Sequence, residues 1–170
     1  MRKKIFIITF LILANFAFAN GNFNLQFGAD TASSFTFKPF IGANVSANYT
    51  WSNGFGLGCG IKDYWNITSN DKRDLFCGGP YFLLKYKYVN VQFGSFFIEN
   101  FGGISMYTSL GGEIPIWELK HGKLGLDFGT ELWAPVSAIV IMDNSSEENK
   151  ETSPLDSFKI YLGVTYFLPL

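Results

Sequence analysis

The chain has 170 residues, 48% of them hydrophobic and 18% aromatic, yet only 16% charged, against about 25% in an ordinary soluble domain. That aromatic content excludes a disordered chain, and 13 Lys and Arg against 14 Asp and Glu leave no basic excess for a nucleic-acid partner. One His and two Cys leave little from which to build a metal centre or a His-dependent active site, so no cofactor is expected.

The first segment reads as a signal peptide over residues 1–19. Arg2, Lys3 and Lys4 form its positive start, and Ile5 to Leu13 its apolar stretch. Ala17-Phe18-Ala19 supplies the small-x-small cleavage pattern, predicting a mature start at Asn20. A membrane-spanning helix needs about 20 apolar residues, more than this run offers. No Cys follows at a lipoprotein position. Without its three leading basic residues the chain keeps ten Lys and Arg against 14 acids, a net charge of −4. Residues 20–170 are expected to form one exported domain.

Within that domain apolar residues alternate with small polar ones, the period of a strand with two different faces. Phe23, Leu25 and Phe27 open the series. Ile41, Ala43, Val45, Ala47, Tyr49 and Trp51 follow, opposite Gly42, Asn44, Ser46, Asn48 and Thr50. The turn Ser52-Asn53-Gly54 leads into Phe55, Leu57, Cys59 and Ile61, a hairpin signal. Residues 75–88 carry Phe82, Leu84, Tyr86 and Tyr88, and Val89, Val91 and Phe93 come next. A sixth run has Leu110, Ile114 and Ile116 opposite Ser109, Gly111 and Glu113. A seventh has Leu124, Leu126, Phe128 and Leu132 opposite Lys123, Asp127 and Glu131. The eighth and clearest is Phe158, Ile160, Leu162, Val164, Tyr166 and Leu168.

Long connections (Thr31 to Pro39, Asn66 to Arg73, Glu99 to Ser105, Ala134 to Asp156) alternate with short ones near Ser52 to Gly54, near Tyr88 and at Glu118 to Gly122. Eight strands joined in this rhythm predict an all-β, antiparallel, up-and-down transmembrane barrel with short turns on the periplasmic side. A secreted soluble barrel of lipocalin type would instead bury the apolar face and bathe the other in water. The other face here is largely Gly, Asn, Ser and Thr, which suits a crowded narrow lumen better than a solvated exterior. Tyr49, Trp51, Phe55, Tyr88 and Trp117 then form an aromatic girdle at the short-turn end, and Trp65, Tyr107 and Trp133 one at the loop end.

The signal peptide, the eight alternating runs and the ending Phe158-Lys-Ile-Tyr-Leu-Gly-Val-Thr-Tyr-Phe167-Leu-Pro-Leu together resemble small outer-membrane β-barrels of the OmpA/OmpX/OmpW kind. The resemblance is architectural and spans the whole exported chain. It implies a place in the outer membrane, with its lipid as surroundings, and recognition of the aromatic final strand by the barrel-assembly machinery. A terminal aromatic is usual in that family, whereas this chain ends Leu168-Pro169-Leu170.

Lys62, Lys85, Glu113, Lys123, Asp127, Glu131 and Lys159 share the polar face. In a narrow lumen they must pair, which predicts a salt-bridged plug; a small conduit gated by rearranging pairs is the alternative. Asp127 and Glu131 lie four residues apart, about 13 Å along a strand, too far for two carboxylates acting on one bond. His121 falls in the turn Lys120-His121-Gly122, at the end away from the outer leaflet, so an enzyme acting on lipid A is unsupported. If residues whose numbers sum to about 136 pair, Cys59 and Cys77 stand opposite each other. A bulge at Gly78-Gly79-Pro80 then has to switch the parity of the strand. A disulfide and two separate thiols both fit.

The acidic run Asp143 to Glu151 marks the longest external loop, and Val136 to Met142 before it reads as an extension of the seventh strand. The expected role is envelope structure or surface interaction through these loops, with no partner identifiable. A narrow pore for small solutes or apolar molecules is the alternative.

Overall fold

The computed structural model describes residues 21–35, 38–67, 76–98, 103–135 and 157–170. The signal peptide, the segment Val136 to Met142 and the acidic run Asp143 to Glu151 lie outside the described residues. Each alternating run becomes a strand: β1 (Gly21–Ser34), β2 (Pro39–Trp51), β3 (Phe55–Asn66), β4 (Phe76–Tyr86), β5 (Val89–Ile98), β6 (Gly103–Leu119), β7 (Gly122–Pro135) and β8 (Phe158–Pro169). Every neighbour in sequence pairs antiparallel, and β1 pairs with β8, from Asn24 opposite Pro169 to Ser34 opposite Lys159. The eight strands form a closed barrel. Closure removes both sheet edges, so no row of backbone donors and acceptors is left unpaired.

The short hairpin connections are built from the residues that favour them. Gly54 takes φ 85°, which disfavours any side chain, and Asn53 Oδ1 accepts from the Phe55 N–H at 2.9 Å. The Lys87 N–H donates to Gly54 O at 2.7 Å, so the β2–β3 and β4–β5 turns brace each other. β1 continues through Thr31 to Ser34, and β6 begins at Gly103, each inside a stretch expected to be loop. A register shift falls in β6 between Pro115 and Trp117, where proline has no N–H to give the ladder.

The two faces sort cleanly. Outward stand Phe27, Val45, Ile61, Phe82, Phe93, Leu110, Phe128 and Leu162, all exposed. Inward stand Gln26, Asp30, Asn44, Ser46, Lys62, Asn90, Gln92, Glu113, Asp127, Glu131, Lys159 and Thr165, all buried. The barrel is therefore inside out relative to a water-soluble one, with its polar groups in the middle and its hydrocarbon on the surface. Above the turn closed by Glu118 and Lys123, Asp63 is the only charged side chain on the outward parity of the described strands, and it lies two residues from Trp65 near the loop end.

Two expectations about side-chain direction are corrected. Tyr107 and Trp133, placed in the outer girdle, are 1% and 6% exposed and point into the lumen. They share parity with Ser109 and Glu131, which are buried too, and a strand cannot send both parities to one face. The girdle at the short-turn end does point outward, with Tyr49 edge-on to Trp51 and Trp51 stacked on Phe55. Tyr88, Trp117 and, at the loop end, Trp65 are exposed.

Of the two alternatives left open for Cys59 and Cys77, the structure has the separate thiols. The β3–β4 ladder runs without a shift from Phe55 opposite Tyr86 to Trp65 opposite Phe76. Cys59 stands opposite Phe82 and Cys77 opposite Tyr64. Because no bulge reverses the parity at Gly78 to Pro80, Cys59 is exposed, Cys77 is buried, and both are free thiols. Under denaturing, non-reducing conditions the protein is expected to titrate two thiols with a maleimide; a count of zero would contradict this register.

Candidate functional site

The lumen gathers nearly all the polar chemistry of the strands, because small residues and glycines on each inward row leave room for long side chains from the facing wall. Lys62 projects from β3 into its centre, with its side chain 1% exposed. Its Nζ reaches Glu131 Oε1 at 2.6 Å and Asp30 Oδ2 at 2.7 Å. Glu131 is further held by the hydroxyls of Tyr64 at 2.8 Å and Tyr107 at 3.1 Å, and by Trp133 Nε1 at 3.1 Å. Asp30 accepts from Asn44 Nδ2 at 3.0 Å. The Lys62 ammonium also lies over the rings of Tyr161 and Tyr64, 4.3 and 5.0 Å from their centroids. An ammonium desolvated this completely needs such charge and π-face partners on all sides.

Toward the loop end the lumen is filled by rings. Phe96 stacks on Tyr107 with centroids 4.3 Å apart. Trp133 meets Phe96, Tyr64 and Phe40 at 5.3 to 5.4 Å, and Lys159 lies 3.8 Å from the Trp133 centroid. Toward the turn end Lys85 pairs with Glu113 and sits beneath the Phe167 ring. Glu113 also accepts from Gln26 Nε2 at 3.3 Å, and Gln26 Oε1 from Ser46 Oγ at 3.0 Å.

Of the seven charges expected to form one lumen network, Lys62 and Glu131 make its centre, while Lys85 and Glu113 form a second pair below. Asp127 is buried with the Tyr161 hydroxyl donating to it at 3.2 Å, and Lys159 joins the aromatic layer. Lys123 does not enter the lumen. It has the inward parity but falls at the rim, and pairs with Glu118 at 2.9 Å across the exposed turn. His121 occupies that same exposed turn, on the outside of the barrel end.

Asp30 and Tyr64 escape the sequence pattern, whereas Tyr161 falls on the polar face beside Lys159 with no role to mark it. Asp30 was lost by ending the first strand too early, although its parity follows from Gln26 and Gly28. Tyr64 and Tyr161 have the parity of Lys62 and Lys159, and only a count along each strand identifies them.

What the arrangement can do chemically is limited. Glu131, the most heavily bonded carboxylate, has both oxygens occupied, and the cation beside it is neutralised twice. Such a layer holds opposite walls together and obstructs the axis. No protein-family model matches the chain, and no curated protein does so.

Removing the Lys62 charge with Lys62→Met is expected to lower the unfolding free energy by about 3–5 kcal/mol, because two buried carboxylates lose their counter-ion. Adding Asp30→Asn and Glu131→Gln should recover part of that loss. Lys123→Met, at a screened surface pair, should leave the urea midpoint of the refolded protein unchanged. Equal midpoints for Lys62→Met and the parent would contradict the central role of this layer.

Proposed function

We propose that the chain is an integral outer-membrane β-barrel whose lumen is a structural plug, serving envelope architecture or surface contact through its loops rather than catalysis. The observation that carries this reading is the inversion of the faces. From Phe23 to Val164 the outward parity is mostly Leu, Ile, Val, Phe and Ala, with small polar residues such as Thr31, Ser95, Thr108 and Thr130 interspersed, and much of it is exposed. In water such a belt would drive association, whereas in a bilayer it meets hydrocarbon and the closed ladder leaves no backbone group unsatisfied.

The girdle of Tyr49, Trp51, Phe55, Tyr88 and Trp117 marks one interface, with the short turns just beyond it. Asp63 lies beside Trp65 at the other, where an outward acid costs little. Under this reading the signal peptide delivers the chain to the envelope, and β8, with Tyr166 and Phe167 near its end, is the strand offered to the assembly machinery. A soluble lipocalin-like barrel is disfavoured by the same inversion, since its cavity would have to bind ligand among Lys62, Asp30 and Glu131 instead of apolar side chains.

The pore reading has less support. A permeation path would have to pass the Lys62 layer and the stacked rings of Phe96, Tyr107 and Trp133.

Fractionation tests the location: the protein is expected in the membrane pellet after alkaline carbonate extraction and in solution only with detergent, and recovery in the soluble fraction would overturn the reading. For the plug, planar bilayers containing the refolded protein should show no stable, well-resolved open level; reproducible unitary currents would favour the pore.

A further inference from the structure

Four inward positions, Asn90, Gly111, Gly129 and Tyr161, are successive register partners across β5, β6, β7 and β8. The two glycines leave the middle of this row without side chains. The Tyr161 ring lies over them, and a Cβ added at Gly111 would meet the Tyr161 hydroxyl and, at 3.1 Å, Asn90 Oδ1. That hydroxyl donates to Asp127 Oδ1 at 3.2 Å. Asp127 in turn stands opposite Glu113 in the β6–β7 ladder. An amide, a phenol and two carboxylates thus converge beneath the Lys62 layer.

Two independent features of this cluster are unsatisfied. Lys85 neutralises Glu113, but Asp127 is buried and has no ion-pair partner among the described residues. Asn90 is 0% exposed, and both its Oδ1 and its Nδ2 lack a hydrogen-bond partner. A buried carboxylate without a counter-ion and a buried amide with nothing on either atom are each costly in an otherwise paired interior.

We propose that this cluster of oxygens binds one alkali cation, Na+ or K+, that has shed most of its water. The converging donors are all oxygens, which selects a hard cation over a transition metal. Glu113, Lys85 and Asp127 leave a local charge of −1, which a single positive charge balances. Among the described residues no group of three or more His, Cys, Asp and Glu converges as a divalent site requires. Asp127 is the counter-ion, Asn90 Oδ1 and the Tyr161 oxygen are neutral ligands, and water carried by the ion accepts from Asn90 Nδ2. The site rests on the lumen alone and does not depend on the membrane reading.

Thermal unfolding of the full exported chain, refolded in detergent, tests this in chlorides of N-methylglucamine, sodium and potassium at equal ionic strength. An alkali salt at about tenfold excess over its Kd is expected to raise Tm by a few degrees, saturably. Asp127→Asn should abolish that rise, and Asn90→Ala should weaken binding about tenfold. Identical Tm in all three salts, or an undiminished rise in Asp127→Asn, overturns the proposal. So does stabilisation by acid alone with nothing added by alkali salt, which would assign the site to a proton. Should the variants fail to refold, sodium-23 and potassium-39 line widths of the wild-type chain decide: saturable broadening of at least one supports the site, and broadening of neither overturns it.

Discussion

The hydrogen bonds between β1 and β8 are the constraint on which the rest of this structure depends. Once Asn24 to Ser34 pairs with Lys159 to Pro169, the sheet has no edge and every strand residue has only two places to go. Eight strands enclose so little space that the inward half must be small or must interlock across the axis. Gly42 faces Tyr64 and Gly111 faces Tyr161 for this reason. The outward half is then free to be hydrocarbon, and in this chain it is.

The same closure explains why the charges sit where they do. An ion pair in a narrow, dry space is weak evidence of stability when compared with apolar packing, yet strongly destabilising when half of it is lost. Lys62 links β3 to β1 and β7 through Asp30 and Glu131, while Tyr64, Tyr107 and Trp133 supply donors to the carboxylates it leaves partly satisfied. The layer therefore fixes which walls face each other. Below it fall Asn90, whose side chain has no hydrogen-bond partner, and Asp127, which accepts from Tyr161 but has no counter-ion among the described residues.

Much of the fold was legible in the residues. Alternation marked eight strands, and the rhythm of long and short connections gave the up-and-down order. The identity of each lumen residue followed from parity wherever the strand was counted from a secure point. Tyr107 and Trp133 were misplaced because their aromatic character and their height near the loop end were weighed above their parity with Ser109 and Glu131. Lys123 was misplaced for the opposite reason, since parity says nothing about whether a position lies in the lumen or on its rim. The register of β3 against β4 was not legible at all. The connection from Ile67 to Leu75 does not specify how far one strand slides past the other, and a slip of five positions separates a Cys59–Cys77 contact from the observed Cys59–Phe82 and Tyr64–Cys77 pairs.

The central claim is the direction of the two faces and the hydrocarbon that covers the outer one. With four Trp in the chain, two versions that keep only Trp117 or only Trp133 (the others changed to Phe) separate those faces in one measurement. In vesicles made with lipids brominated along the acyl chain, the account predicts strong fluorescence quenching of Trp117 and little of Trp133. Quenching of Trp133 with Trp117 spared, or of neither, would contradict it.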